Sequence, residues 1–147
     1  MQKGIVRARK IPTEKNPYHF NVAWKFHIIR EMKKYGVEIM AGTDTPLGCF
    51  TPGFSLHKEL ETLVEAGLTP LEALDSATVK PAQFFGVENQ LGNIEVGMLA
   101  DLVLLSKNPL KDIGNTRSIE MVVKEGELYD AQALDNVLLS LEQRVSE

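Results

Sequence analysis

Residues 37–46 read VEIMAGTDTP, an apolar run that stops abruptly at an acid, Asp44. Val37, Ile39 and Ala41 alternate with Glu38, Met40 and Gly42, which predicts a short strand with mostly apolar faces. Apolar residues on both sides suit a parallel sheet covered by helices, and ligand sites in such sheets lie at the C-terminal ends of strands. Asp44 falls at that end. There a carboxylate can ligate a cation or accept a proton from an attacking water. It can equally be the Asx-turn residue that opens the loop before Thr45 and Pro46. Thr43 and Thr45 fit either role, as groups that orient the carboxylate or that satisfy the turn.

The flanks agree with an α/β arrangement. Upstream, Trp24, Ile28, Met32 and Tyr35 recur at helical spacing, which predicts a helix over 17–35 that Phe20 extends backwards and Gly36 closes. Downstream, a loop with two prolines and two glycines leads to Ser55, an expected N-cap. The helix SLHKELETLVEAG follows, with Leu56, Leu60, Leu63 and Val64 on its apolar face. TPLEAL is a clear helix start, with Thr69 as cap, Pro70 in the first position and Glu72 as capping-box partner. A short helix is expected near Pro81, ending at Gly86. From about residue 90 the pattern turns to strands and turns. A continuous apolar strand is expected at 102–105, and SIEMVVKEGELYD reads as a hairpin turning at Glu125-Gly126. The tail is helical, with Leu134, Val137, Leu138, Leu141 and Val145 on one face.

Composition narrows the functional classes. The 147 residues carry a net charge of −4, which leaves no electrostatic footprint for nucleic acid. The basic segment VRARK at 6–10 reads as solvated. The lone Cys49 excludes an internal disulfide framework and fits a reducing, cytoplasmic setting. No run approaches the roughly 18–20 apolar residues of a membrane span.

His57, in the first turn of the helix after the loop, is the other candidate. It is expected to point back toward Asp44 as a ligand or a donor to substrate, or else to be a solvated or locally bonded helix-start histidine. His19 and His27 read as rim or packing residues, and Glu59 and Glu61 as a solvated helix face. A catalytic zinc site takes about three protein ligands and an open position. No H-x-H, H-E-x-x-H or cysteine pair occurs, so Asp44 with one histidine falls short of a site.

Taken together, VEIMAGTDTP, GFSLHKELETLVEAGLTPLEALDSAT, PAQFFG, LGNIEVGMLADLVLLSKNPL and VVKEGELYD resemble the C-terminal part of metal-dependent amidohydrolases, imidazolonepropionase-like and prolidase-like. The resemblance runs from about residue 18 to 130. It implies an α/β fold: the last strand and flanking helices of a (β/α)8 TIM barrel over 1–88, β-sandwich strands over 89–130, and a C-terminal helix over 131–147. It also implies that Asp44 ligates a divalent metal, zinc by expectation, and serves as general base in hydrolysis of a C–N bond of a small cyclic amide or peptide-like substrate. His57 would contact substrate.

The family's early H-x-H pair, its bridging Lys or Glu and its two mid-barrel histidines have no counterpart here. A full barrel takes roughly 200–250 residues. The chain is therefore expected to be a piece of a longer hydrolase, cut from it or read from a frame opening at Met1, that neither retains the metal nor turns over alone. The rival expectation is a non-catalytic module that docks or self-associates, as a homo-oligomer, through exposed edges. Neither nucleic acid nor membrane is an expected partner.

Overall fold

The computed structural model describes residues 17–46 and 51–145, with side chains over 23–46 and 51–141. The basic segment at 6–10 and Cys49 lie outside these, as do the side chains of His19, Phe20 and Val145. The order is α1 (Pro17–Lys34), α2 (Phe54–Ala66), α3 (Pro70–Ala77), α4 (Val79–Phe84), β1 (Leu102–Leu105), a 3-10 helix (Ile113–Arg117), β2 (Ile119–Lys124), β3 (Glu127–Asp130) and α5 (Ala131–Val145). It is a mixed α/β arrangement in which helices and a small sheet segregate along the chain.

The core lies where α2, α3 and the 3-10 helix meet. Leu60, Leu63, Leu68, Ala73 and Ile113 are buried together there, with Ile29, Ile39 and Ala41 packed against them. Gly67 ends α2 in the left-handed region (φ 119°), its N–H reaching the Leu63 and Val64 carbonyls. Two basic residues of α1 complete that end. Lys33 Nζ donates to the Gly67 carbonyl at 3.0 Å and Arg30 Nη2 to that of Glu65 at 3.4 Å, which favours the electronegative helix terminus.

The TPLE start of α3 forms as its sequence dictates. Thr69 Oγ1 accepts from the Glu72 N–H at 3.2 Å, and Glu72 Oε2 accepts from the Thr69 N–H at 2.6 Å, a closed capping box with Pro70 at the first position. Lys33 also donates to Glu72 Oε2 at 2.6 Å. This Lys33 bond, with the Thr69 N–H behind it, holds the Glu72 carboxyl at about 2, well below its usual 4.5. A depressed carboxylate stabilises the fold above its unfolded pKa, and that contribution disappears as pH falls from 4.5 toward about 2. Glu72→Gln is therefore expected to lower the melting temperature at neutral pH and to flatten the acid limb of stability against pH. An unchanged acid limb would place the acid sensitivity in other groups.

The sheet is antiparallel, in the order β1-β2-β3. Val103 faces Val122, and Val122 faces Tyr129 across the next ladder, while the register shifts between Leu104 and Leu105. Glu125 (φ 54°) and Gly126 (φ 83°) make the two-residue turn between β2 and β3, both left-handed as a type I′ hairpin turn requires. Asp101 clamps that turn, accepting from the Glu125 N–H at 2.7 Å and from Lys124 Nζ at 2.9 Å. Gly92 (φ 100°) packs so closely on α4 that a Cβ there would lie 2.8 Å from the Ala82 Cβ.

Three expectations change. Residues 37–42 are extended but make no strand ladder among the described residues, because the backbone bond of Ala41 goes to the Ser76 carbonyl at the end of α3 rather than to a neighbouring strand. The sheet that does form is antiparallel and lies elsewhere. Ser55 is not the cap of α2. The cap sits two residues earlier, at Gly53 (φ 78°), and Ser55 Oγ accepts from the Thr51 N–H at 2.8 Å. Of the Trp24–Ile28–Met32–Tyr35 stripe, Trp24 and Ile28 are exposed, Met32 is half-buried and Tyr35, just past the end of α1, is 74% exposed, while Ile29 and Lys33 turn toward α2 and α3. Two further expectations hold. β1 ends before Asn108-Pro109, and α5 follows the hairpin.

Candidate active site

Asp44 is reached from the core in three residues. Ile39 and Ala41 pack on the α2–α3 core, and the Ala41 N–H donates to the Ser76 carbonyl at 2.9 Å. Ser76 is itself fully buried, its hydroxyl donating to the Ala73 carbonyl at 2.6 Å. Beyond that anchor the Gly42 N–H donates to Glu59 Oε1 on α2 at 3.4 Å. Asp44 then stands exposed with φ 54°, a left-handed conformation that Asp tolerates better than most side chains. The hydroxyls on either side meet each other, Thr43 Oγ1 donating to Thr45 Oγ1 at 3.4 Å, so they satisfy the turn. An unfavourable backbone held in place by its surroundings is common at functional sites.

Of the two roles the sequence offers for His57, a group facing Asp44 or a histidine bonded to a neighbour, the structure shows a bond to a neighbour. The His57 Nδ1 lies 3.0 Å from Thr116 Oγ1 in the 3-10 helix, and Thr116 Oγ1 is 2.9 Å from the Ile113 carbonyl. One turn along α2, Glu61 takes Arg117 of the same 3-10 helix, with Nε and Nη2 each 3.1 Å from Oε1. Burial acts to raise the Glu61 carboxyl, but hydrogen bonds from Arg117 and Lys58 hold it below its usual range. Burial lowers the His57 imidazole and the Arg117 cation lowers it further, against a smaller opposing effect of Glu61.

The helix α2 is thus a bracket. One side holds the Asp44 segment through Glu59, and the other holds the 3-10 helix through His57 and Glu61. Glu59 and Glu61 are structural partners as well as parts of a helix face, and Thr116 and Arg117 reach His57 and Glu61 from nearly sixty residues away. No periodic signal marks those two residues, because the 3-10 helix is too short to carry one. Lys33, Lys80, Glu38, Glu72 and Asp75 line a separate groove of about 270 Å³ beside the start of the extended segment. His27 is exposed against Trp24, with ring centroids 5.8 Å apart.

Among the described residues no three histidine, cysteine, aspartate or glutamate side chains come together to hold a metal ion. Asp44 alone does not fit one. No described helix is long and apolar enough to cross a membrane.

Comparison with known proteins agrees with this architecture. The chain is 38% identical over 101 residues to ochratoxinase of Aspergillus niger, an alignment spanning 65% of this chain and 20% of that protein. It is 37% identical over 79 residues to imidazolonepropionase of Symbiobacterium thermophilum, spanning 52% of this chain and 18% of that protein. The crystal structure of a Xaa-Pro dipeptidase with bound methionine superposes with a TM-score of 0.65 at 36% identity, covering 72% of this chain and 25% of that one. The chain spans about a fifth of the length of the curated relatives it matches. The profile of the Amidohydrolase family matches residues 25–129, from α1 through the extended Asp44 segment to the β2–β3 hairpin, and the chain belongs to that family.

Proposed function

We propose that this chain is the C-terminal segment of a hydrolase that cleaves a C–N bond in a cyclic amide or peptide-like substrate. The observation that carries this is Asp44, an exposed carboxylate in a left-handed turn, anchored through Ala41 and Gly42 within the region matched by the family. The relatives named for a Xaa-Pro dipeptide and for an imidazolone support the substrate class. On this reading residues 1–88 belong to the last part of a (β/α)8 barrel, 89–130 to a small β-sandwich and 131–147 to its terminal helix.

Asp44 acts as the base. It takes a proton from the attacking water and returns it to the leaving nitrogen, which an amide cannot expel unprotonated. The family is generally metal-dependent. We assign a zinc-type divalent ion to the complete enzyme, with Asp44 as one ligand of a set that residues outside this chain complete. The lone cysteine accords with a reducing, cytoplasmic setting.

The purified 147-residue chain, supplied with zinc and a proline dipeptide or an imidazolone, is expected to show no turnover above the buffer blank. Metal-stimulated hydrolysis that Asp44→Asn removes would reveal a complete site within these residues and overturn their incompleteness. A second reading, a non-catalytic module that associates through its edges, is favoured by one feature. Strand β1 pairs on one side only among the described strands, with Val103 and Leu104 each more than half exposed. Sedimentation of a compact monomer at all concentrations would dismiss it.

A further inference from the structure

We infer that Thr116 fixes the His57 ring as its Nδ1–H tautomer and so presents Nε2 as a hydrogen-bond acceptor at the start of α2. Thr116 is buried, 7% exposed, and its hydroxyl carries a single proton. Among the described residues two oxygen or nitrogen atoms stand within bonding distance of that hydroxyl, the Ile113 carbonyl at 2.9 Å and His57 Nδ1 at 3.0 Å. A carbonyl oxygen can only accept. If the hydroxyl proton went to Nδ1, two oxygens would face each other at 2.9 Å with no proton between them. Both contacts are hydrogen bonds only when Thr116 donates to Ile113 and receives from an Nδ1–H. In the neutral ring the second nitrogen then carries the lone pair.

The charged groups facing the ring agree with a neutral imidazole. Arg117, on the 3-10 helix, opposes a second cation beside it, and Glu61 on α2 is occupied by that same Arg117. Burial acts in the same direction as Arg117. A ring so held accepts from a substrate N–H or O–H at Nε2 and gives no proton there. Thr116 is accordingly a positioning residue that acts through His57. The proton on Nδ1 stands on the geometry alone, the bare Nε2 stands on that geometry together with the burial and the Arg117 cation that keep the ring neutral, and the acceptor role toward substrate rests on the hydrolase reading above.

The test is long-range proton–nitrogen correlation spectroscopy of the 147-residue chain, isotopically labelled at histidine nitrogens, at neutral pH. The His57 signals are identified by their loss in His57→Asn. The expected pattern is a protonated Nδ1 and an unprotonated Nε2. Thr116→Val, which removes the acceptor, is expected to move the ring toward the Nε2–H form, and Thr116→Ser to keep the original pattern. A protonated Nε2 with bare Nδ1 in the unsubstituted chain overturns the inference, as does a folded Thr116→Val chain with unchanged ring signals. Should Thr116→Val fail to fold, the unsubstituted chain and Thr116→Ser still decide the tautomer. These outcomes do not depend on turnover, so failure of the hydrolase reading would be seen separately.

Discussion

Asp44→Asn, introduced into a complete hydrolase carrying this segment, is expected to lower kcat by about 10²–10⁴-fold, the usual contribution of a positioned general base. It should leave the folded state almost untouched. Asp44 is exposed with φ 54°, and Asn is the residue that tolerates the left-handed region as well as Asp does. A surface change of that kind stays within about 0.5 kcal/mol. Asn also keeps the volume and one carbonyl oxygen while losing the charge and the basicity, so a kinetic loss would belong to the chemistry. Asp44→Ala is a poorer probe, because its effect mixes lost chemistry with backbone strain. Matched kcat values for Asp and Asn enzymes, in a preparation with full metal content, would return Asp44 to a turn residue.

Leu63→Ala is expected to destabilise the chain by about 2–5 kcal/mol, read as a fall in the urea midpoint with an unchanged slope. Leu63 is 4% exposed and sits in the buried cluster that joins α2, α3 and the 3-10 helix. Truncation there loses the transfer free energy of the side chain and leaves a cavity that helices on three sides cannot close. Stabilities of whole domains run to about 5–15 kcal/mol. A core this small therefore makes the substitution a threat to folding itself. A shift under about 1 kcal/mol would mean the site relaxes freely, and the cluster would not be the organising core described above.

The contrast between well-read and misread elements follows the range of the forces involved. The capping box at Thr69, the hairpin turn at Glu125-Gly126 and the strand at 102–105 rest on contacts within a few residues, so their letters suffice. The stripe on α1 was equally periodic, yet Tyr35 and Trp24 remain exposed. Periodicity marks an apolar face without naming what covers it. The extended segment 37–42 illustrates the same limit, since its alternation is sound while no strand ladder forms on it among the described residues. Ser55 shows a local rule losing to a local competitor, its hydroxyl being taken by the Thr51 N–H one turn back.

By itself the sequence determined that an apolar run delivers a carboxylate to a loop, and that five ordered segments around it carry the amidohydrolase pattern. Both are properties of neighbours along the chain. Only the tertiary structure decided how that carboxylate is held and where the nearest histidine goes. Glu59 reaches Gly42, and His57 turns to a threonine 59 positions away. Those choices depend on which helix ends meet in space, and side-chain hydrogen bonds form between whatever donors and acceptors the packing brings within about 3 Å.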